Sequence, residues 1–264
     1  MSSPRFWFAP ALAAVFVAAM PVPALSGTRF GGVSITSLDP ARVSAAAAPP
    51  APLNGRLSNE RTLSRWAYSV AAAPIFAAPA GHSRRVASLH LWTEDGFPEI
   101  YLLLASKVDA AGRRWIEVRI PMRPNGRVGW VARDALGDFH ATRQELVLNR
   151  SRLRMYLFQN GRLRWSAPVG IGKPSTPTPA GHFWLRERFK IASPSSGYWP
   201  YAIGTADYST LTEWPGGGVV GIHGPYGDPS QIPGRPSHGC IRMRTGDDGW
   251  LATHVGLGTP LRII

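Results

Sequence analysis

The chain has 264 residues, 44% of them hydrophobic, 17% charged and 10% aromatic, with a formal net charge of +13 from 29 basic and 16 acidic side chains. That composition is ordinary for a globular protein, its aromatic content argues for packed β structure and against disorder, and the length suffices for one large or two small cores. The positive excess favours polyanionic partners (nucleic acid, anionic lipid or an acidic wall polymer) without choosing among them.

Met1 to Arg5 is short and basic, Phe6 to Met20 is apolar apart from Pro10, and Ala24-Leu25-Ser26 fits a small-x-small cleavage site. This is the order of a secretory signal peptide over residues 1–26. The alternative is an uncleaved membrane anchor, because the apolar run is only slightly shorter than a span of roughly 20 residues. Under either reading the folded part is exported, to the periplasm or cell wall, and a membrane partner is expected only if the leader is retained. The leader and the dispersed arginines argue against nucleic acid as the partner.

Residues 27–63, with Ala45-Ala46-Ala47-Ala48-Pro49-Pro50-Ala51-Pro52, read as a Pro/Ala-rich tether without strand or helix. Residues 64–138 change to short apolar stretches separated by Asp95-Gly96, Ala111-Gly112 and Pro124-Asn125-Gly126. Strands are expected at 86–89, 99–104, 115–120 and 128–131, the third alternating as a half-buried strand does. Several short strands in this space predict a small β-barrel. Gly129-Trp130-Val131-Ala132 after a turn resembles the closing strand of bacterial SH3-like modules, which implies an accessory role.

A second β-rich domain is expected over 143–264, with strands at 145–149, 154–158, 163–169, 182–185, 219–223 and 261–264. Trp250 to Val255 reads as a brief helix ending at Gly256, with Asp247 and Asp248 at its N-terminus. The chain is therefore expected to be mainly β, with few short helices.

Cys240 is the single cysteine. In an exported chain it is an intermolecular bridge, a small buried hydrophobe or a reactive thiol. Its surroundings favour the last. Gly221-Ile222-His223-Gly224 is followed by a bent Gly/Pro-rich connection and then Ser237-His238-Gly239-Cys240-Ile241-Arg242-Met243. The connection can return the thiol to His223, whose imidazole is suited to take its proton. Backbone N–H groups around Gly239 and Cys240 can face the oxygen that becomes negative in acyl transfer.

His223-Gly224, the Gly/Pro-rich gap and the run Ser237 to Met243 resemble the signature of the L,D-transpeptidase (YkuD-type) catalytic domain. Thr176-Pro177-Thr178-Pro179-Ala180-Gly181-His182-Phe183 resembles an early turn of the same family. The resemblance covers roughly 143–264 and implies a β-sandwich-like catalytic domain acting on peptidoglycan stem peptides. It implies that Cys240 forms a thioester with a stem tetrapeptide, releasing D-alanine, and passes the acyl group to an amine of another stem without metal or organic cofactor. His223 is implied as base, its ring held by a backbone carbonyl. His238, Gly239 and Cys240 are implied to line the oxyanion site, with Ser237 and His238 shaping the pocket and Gly224 beside it. Arg242 either meets a stem carboxylate or makes a structural salt bridge. Pro225-Tyr226 departs from the small polar residue of many relatives.

Three other readings stand beside this one. Water in place of the amine gives L,D-carboxypeptidase or endopeptidase activity. A catalytically dead segment leaves a non-catalytic protein bound to the anionic cell-wall surface. His223, His238, Cys240 and His254 could hold zinc, although a Cys and a His two residues apart do not match usual ligand spacing. Tyr198, Trp199, Tyr201, Tyr208 and Trp214 form either a lid over the site or ordinary core.

Overall fold

The computed structural model describes residues 26–30, 33–37, 49–213 and 215–264. Residues 1–25 of the expected leader and Trp214 lie outside the described residues. The first ten strands in chain order are β1 (Ser26–Phe30), β2 (Val33–Ser37), β3 (Gly55–Arg56), β4 (Ser64–Tyr68), β5 (Pro74–Phe76), β6 (Arg85–Ser88), β7 (Ile100–Val108), β8 (Arg114–Arg119), β9 (Val128–Ala132) and β10 (His140–Thr142). Strands β3 to β10 form an antiparallel sheet in the order β10-β4-β7-β8-β9-β5-β6, with β3 added on β7. The turns expected between them are present, and Gly96, Gly112 and Gly126 take the left-handed conformation that such turns require.

The second half contains β11 (Gln144–Asn149), β12 (Arg154–Gln159), β13 (Arg162–Pro168), β14 (Gly170–Gly172), β15 (Gly181–Ile191), β16 (Tyr201–Tyr208), β17 (Val219–His223), β18 (Gly234–Ser237), β19 (Ile241–Arg242) and β20 (Pro260–Ile263). Their order is β13-β12-β11-β20-β15-β16-β17-β19-β14-β18. The helix α1 (Thr245–His254) precedes β20 and is the one α-helix among the described residues. The chain is mainly β, as expected.

Two expectations need correction. The segment read as a structureless tether contains β1, β2 and β3. Val33 and Ile35 alternate with Ser34, Thr36 and Ser37, a short period-2 pattern hidden among alanines and prolines. β15 is 11 residues long; β20 pairs with Gly181 to Trp184, and β2 takes the unfilled edge at Phe189 to Ile191. Further along, Pro49, Pro52 and Leu53 offer carbonyls to Arg65, Arg114 and Ser106, which bind this stretch to the first sheet. The helix is the second correction. It begins a turn earlier than expected, with Asp247 and Asp248 in its first turn, and the left-handed glycine beyond it is Gly258, not Gly256.

The two sheets share a core. Tyr101 and Leu103 point into the first sheet's own cluster, with Ile116, Val118 and Val131. Ile100 and Leu102 point the opposite way, joining Trp66 in the cluster that contains Trp184, Phe183 and Leu261. Alternate side chains leave opposite faces of a strand, so β7 is apolar on both because both are covered. β8 is likewise more buried than a half-exposed strand: Trp115 packs edge-on against Phe76, and its indole N–H donates to Asp109.

The contact between the sheets is close. Trp66 fills the space beside Gly258, where a Cβ would stand 2.0 Å from the indole Cδ1, and Trp184 Nε1 donates to Ile100 O at 3.2 Å. Next to it, the buried Arg186 guanidinium is held by Glu99, with Nε donating to Oε1 at 2.9 Å, and by Glu94 at 3.0 Å. Removing one member of such a buried pair typically costs about 3–5 kcal/mol. Trp66→Ala is expected to lower unfolding free energy by about 3–5 kcal/mol and to loosen both halves in one transition. Chemical denaturation followed by tryptophan fluorescence and far-UV circular dichroism checks this; separate transitions for the two halves would contradict the shared core.

Candidate active site

β17 and β19 run parallel, with Ile222 opposite Ile241 and His223 opposite Arg242. Both isoleucines are fully buried in the core. Because side chains alternate, the other face receives His223, Arg242 and Cys240, the residue immediately before β19. The Gly/Pro-rich connection thus performs the return expected of it: Gly221 N–H lies 3.5 Å from Cys240 Sγ. Cys240 and His223 line one cleft of about 400 Å³, together with Tyr198, Tyr226, His238 and Arg242. A second cleft of about 460 Å³ also reaches Cys240 and His223 and is walled by Asp95, Glu187, Phe189 and Ile203.

His223 is 3% exposed, and its Nδ1 lies 2.8 Å from Gly224 O. A carbonyl only accepts, so Nδ1 carries the proton and Nε2 keeps its lone pair in the neutral ring. Gly224 is required here because a Cβ would come within 1.7 Å of Trp199 O. Tyr198 packs edge-on against the imidazole at 4.8 Å and against Tyr226 at 5.1 Å. Among the described residues expected as lid or core, Tyr198 is the one whose ring packs on the histidine. Tyr208 and Tyr201 pack into the molecule behind it, where Asp248 Oδ2 accepts from Tyr201 N–H at 3.0 Å.

The turn before the thiol is held by three hydroxyls. Ser237 Oγ donates to Cys240 O at 2.6 Å and accepts from Gly239 N–H at 3.1 Å. Thr178 Oγ1 donates to Gly239 O at 2.6 Å while accepting from Gly172 N–H at 2.9 Å. Ser209 Oγ donates to His238 O at 3.1 Å. Gly239 has φ 136°, a left-handed value, and a Cβ there would be 3.0 Å from Ser209 Oγ. Gly239 N–H, expected around an oxyanion site, donates to Ser237 Oγ in this structure. Thr178 and Ser209 had no assigned role from sequence. Thr178 lies within the Thr-Pro-Thr-Pro run, which was the available signal; Ser209 had none.

His238 is exposed, and Lys173 Nζ donates to its Nε2 at 3.1 Å. Arg242 makes no ion pair among the described residues: Nη1 donates to Tyr226 O at 3.0 Å, and the guanidinium lies 5.1 Å from the Tyr226 ring centroid. The departure at Tyr226 is thus matched by this cation–π contact. His254 stands apart from the cluster at the end of α1, stacked on Trp250 at 4.0 Å.

Burial dominates the electrostatics. It lowers His223 to a pKa of about 4, helped by the Arg242 charge and opposed by the Gly224 carbonyl. Burial also raises the Cys240 thiol, with Asp207 adding to the effect and Gly221 N–H and Arg242 opposing it. Asp207, fully buried on β16, is itself raised to about 7 by burial. In the second cleft Asp95 and Glu187 hydrogen-bond to one another, both raised chiefly by burial, and Thr93 Oγ1 donates to Glu187 at 2.6 Å.

These groups form a neutral thiol beside a neutral imidazole whose Nε2 is free to accept, an arrangement for general-base attack on an acyl carbonyl. Residues 143–263 match the family model of the L,D-transpeptidase catalytic domain, YkuD. That segment belongs to the YkuD family. Over 118 residues the chain is 30% identical to L,D-transpeptidase 1 of Mycobacterium tuberculosis, covering 40% of this chain and 44% of that one. Over 117 residues it is 34% identical to a putative L,D-transpeptidase YkuD of Bacillus licheniformis, covering 44% of this chain and 61% of that one. The chain thus spans less than two thirds of either relative. A solved L,D-transpeptidase from Mycobacterium tuberculosis H37Rv aligns over 75% of this chain and 98% of its own, with 14% identity and a TM-score of 0.41.

The lowered His223 sets the pH behaviour of this YkuD site. A group depressed from 6.5 to about 4 is neutral above that value and stabilises the fold most above pH 6.5, the contribution falling as pH drops through 4. Ultraviolet thiolate absorbance, taken as wild type minus Cys240→Ala, is expected to be absent between about pH 5 and pH 8 and to rise only in the alkaline range. A plateau of thiolate across that neutral range would show an imidazolium–thiolate pair instead.

Proposed function

We propose that the protein is an exported cysteine acyltransferase, a peptidoglycan L,D-transpeptidase, with Cys240 as nucleophile and His223 as base. The observation that carries this reading is the shared face of β17 and β19, which sends both side chains into one cleft within a YkuD segment. His223 Nε2 takes the Sγ proton as the sulfur attacks the acyl carbonyl of a stem tetrapeptide. Cys240 N–H is the candidate backbone donor for the developing oxyanion. Collapse breaks the amide, the departing D-alanine amine receives the proton from His223, and a thioester remains. An amine of a second stem then attacks the thioester, gives its proton to His223 and restores the thiol. The sequence uses no metal or organic cofactor.

Ser237, Thr178 and Ser209 act in this reading by holding the carbonyls of residues 238–240, and so the orientation of the thiol. Arg242, held by Tyr226, faces the cleft as the candidate partner of a stem carboxylate. The net charge of +13 suits an anionic wall surface, and the leader read over residues 1–26 supports export. The first sheet, with its SH3-like reading, serves as a packed accessory. Resolution of the thioester by water is the hydrolytic alternative.

Incubation with a carbapenem followed by intact mass measurement tests the nucleophile. One stoichiometric adduct is expected on the wild-type protein and none on Cys240→Ala. His223→Ala is expected to slow adduct formation by about 10²–10⁴-fold. With a stem tetrapeptide and an amine acceptor, D-alanine release and a cross-linked product are expected; release without cross-link would favour the hydrolytic alternative. A folded wild-type protein with a free thiol and no adduct would leave the wall-binding reading in place.

A further inference from the structure

Ser209 and Gly218 stand at the two ends of the connection that leaves β16 and returns to β17. This loop closes at its base through Ser209 N–H donating to Gly218 O at 2.8 Å. Ser209 and Gly218 both line the cleft with Cys240. Ser209 also reaches under the nucleophile's turn, through its bond to His238 O.

The group that fills this loop belongs to the other sheet. Arg123, between β8 and β9, sends Nη2 to Ser209 O at 2.9 Å, Leu211 O at 3.2 Å and Gly217 O at 2.8 Å. Its Nε adds a bond to Ser209 O at 3.3 Å, and the guanidinium lies 4.7 Å from the Tyr208 ring centroid. Asn125 completes the grip from two residues on, its amide donating to Tyr208 O at 2.9 Å and accepting from Tyr208 N–H at 3.1 Å. The fit leaves no spare room: a Cβ at Gly218, φ 81°, would lie 1.9 Å from Leu211 O and 2.6 Å from Arg123 Nη2.

A planar fork of five donors can satisfy three converging carbonyls at once, which an ammonium on a flexible stem reproduces only in part. Without it those carbonyls turn toward water, and Ser209 loses the backbone that aims it at His238. We propose that Arg123 is a positioning residue of the acylation site, acting through the 209–218 loop and Ser209 on the His238-Gly239-Cys240 turn. The proposal rests on the acyl-transfer reading above. It makes the first sheet a contributor to the reaction rate and not only to stability.

The test compares Arg123→Ala, Arg123→Lys, Ser209→Ala and the double variant Arg123→Ala/Ser209→Ala in the full chain. The rate of carbapenem acylation is read by intact mass, the folded fraction by thermal melting, and kcat and KM by D-alanine release from a stem tetrapeptide. Arg123→Ala is expected to acylate about tenfold to a hundredfold more slowly per folded molecule, the loss falling on kcat more than KM. Arg123→Lys is expected to recover part of that rate, and the double variant to lose less than the product of the single losses. Arg119→Ala removes an ion pair with Glu60 on the same sheet and is expected to leave the acylation rate unchanged. An unchanged rate in Arg123→Ala, or losses that multiply in the double variant, would overturn the proposal alone. If Arg123→Ala does not fold, an unchanged rate in Arg123→Lys would overturn it equally. Absence of any adduct on the wild-type protein overturns the acyl-transfer reading itself, and this proposal with it.

Discussion

The site depends on one parallel pairing, β17 with β19. Parallel strands cannot be joined by a tight turn, so a long excursion between His223 and Cys240 is a geometric necessity. Glycines and prolines in that excursion let it fold back over the cleft it creates. The pairing puts Ile222 and Ile241 into the core as a pair, and this fixes the register. A slip of one residue would turn Cys240 and His223 into the apolar core and the isoleucines into the cleft. Apolar burial thereby sets the position of polar side chains on the opposite face.

A second constraint is that the two sheets do not have separate cores. β7 is covered on both faces, Trp66 occupies a recess beside Gly258, and Arg186 is neutralised by glutamates from the other sheet. The interface therefore combines apolar packing with a buried ion pair. Both are costly to break, so the sheets hold a fixed relation. That rigidity allows a residue such as Arg123 to act on a loop more than eighty positions away in the chain.

Much of this was legible in the residues. Period-2 runs and Asp-Gly or Asn-Gly turns located most strands, and the run from Ser237 to Met243 located the thiol and its histidine. β16 was not legible, because Ala202, Gly204, Thr205, Ala206 and Asp207 show no apolar alternation. Its interior is small and polar because the Glu187 carboxyl lies over Gly204, 2.3 Å from where a Cβ would be. The partnerships of Thr178 with Gly239 and of Ser209 with His238 span 61 and 29 residues, and no local pattern announces a hydroxyl that finds a carbonyl so far away. β2 was hidden by its composition. Its reason for existing, the open edge of β15, belongs to a strand some 150 residues later.

The position of β20 in the large sheet bears on when the thiol can come into being. Of the strands described it is last in chain order, yet it lies between β11 and β15, parallel to the first and antiparallel to the second. Until residues 260–263 are in place, the sheet has a gap at its middle. Non-local closure of this kind makes folding of the sheet wait on residues far along the chain from the strands they join. The cleft that holds Cys240 and His223 is therefore completed only when a strand some twenty positions beyond the cysteine has joined the sheet.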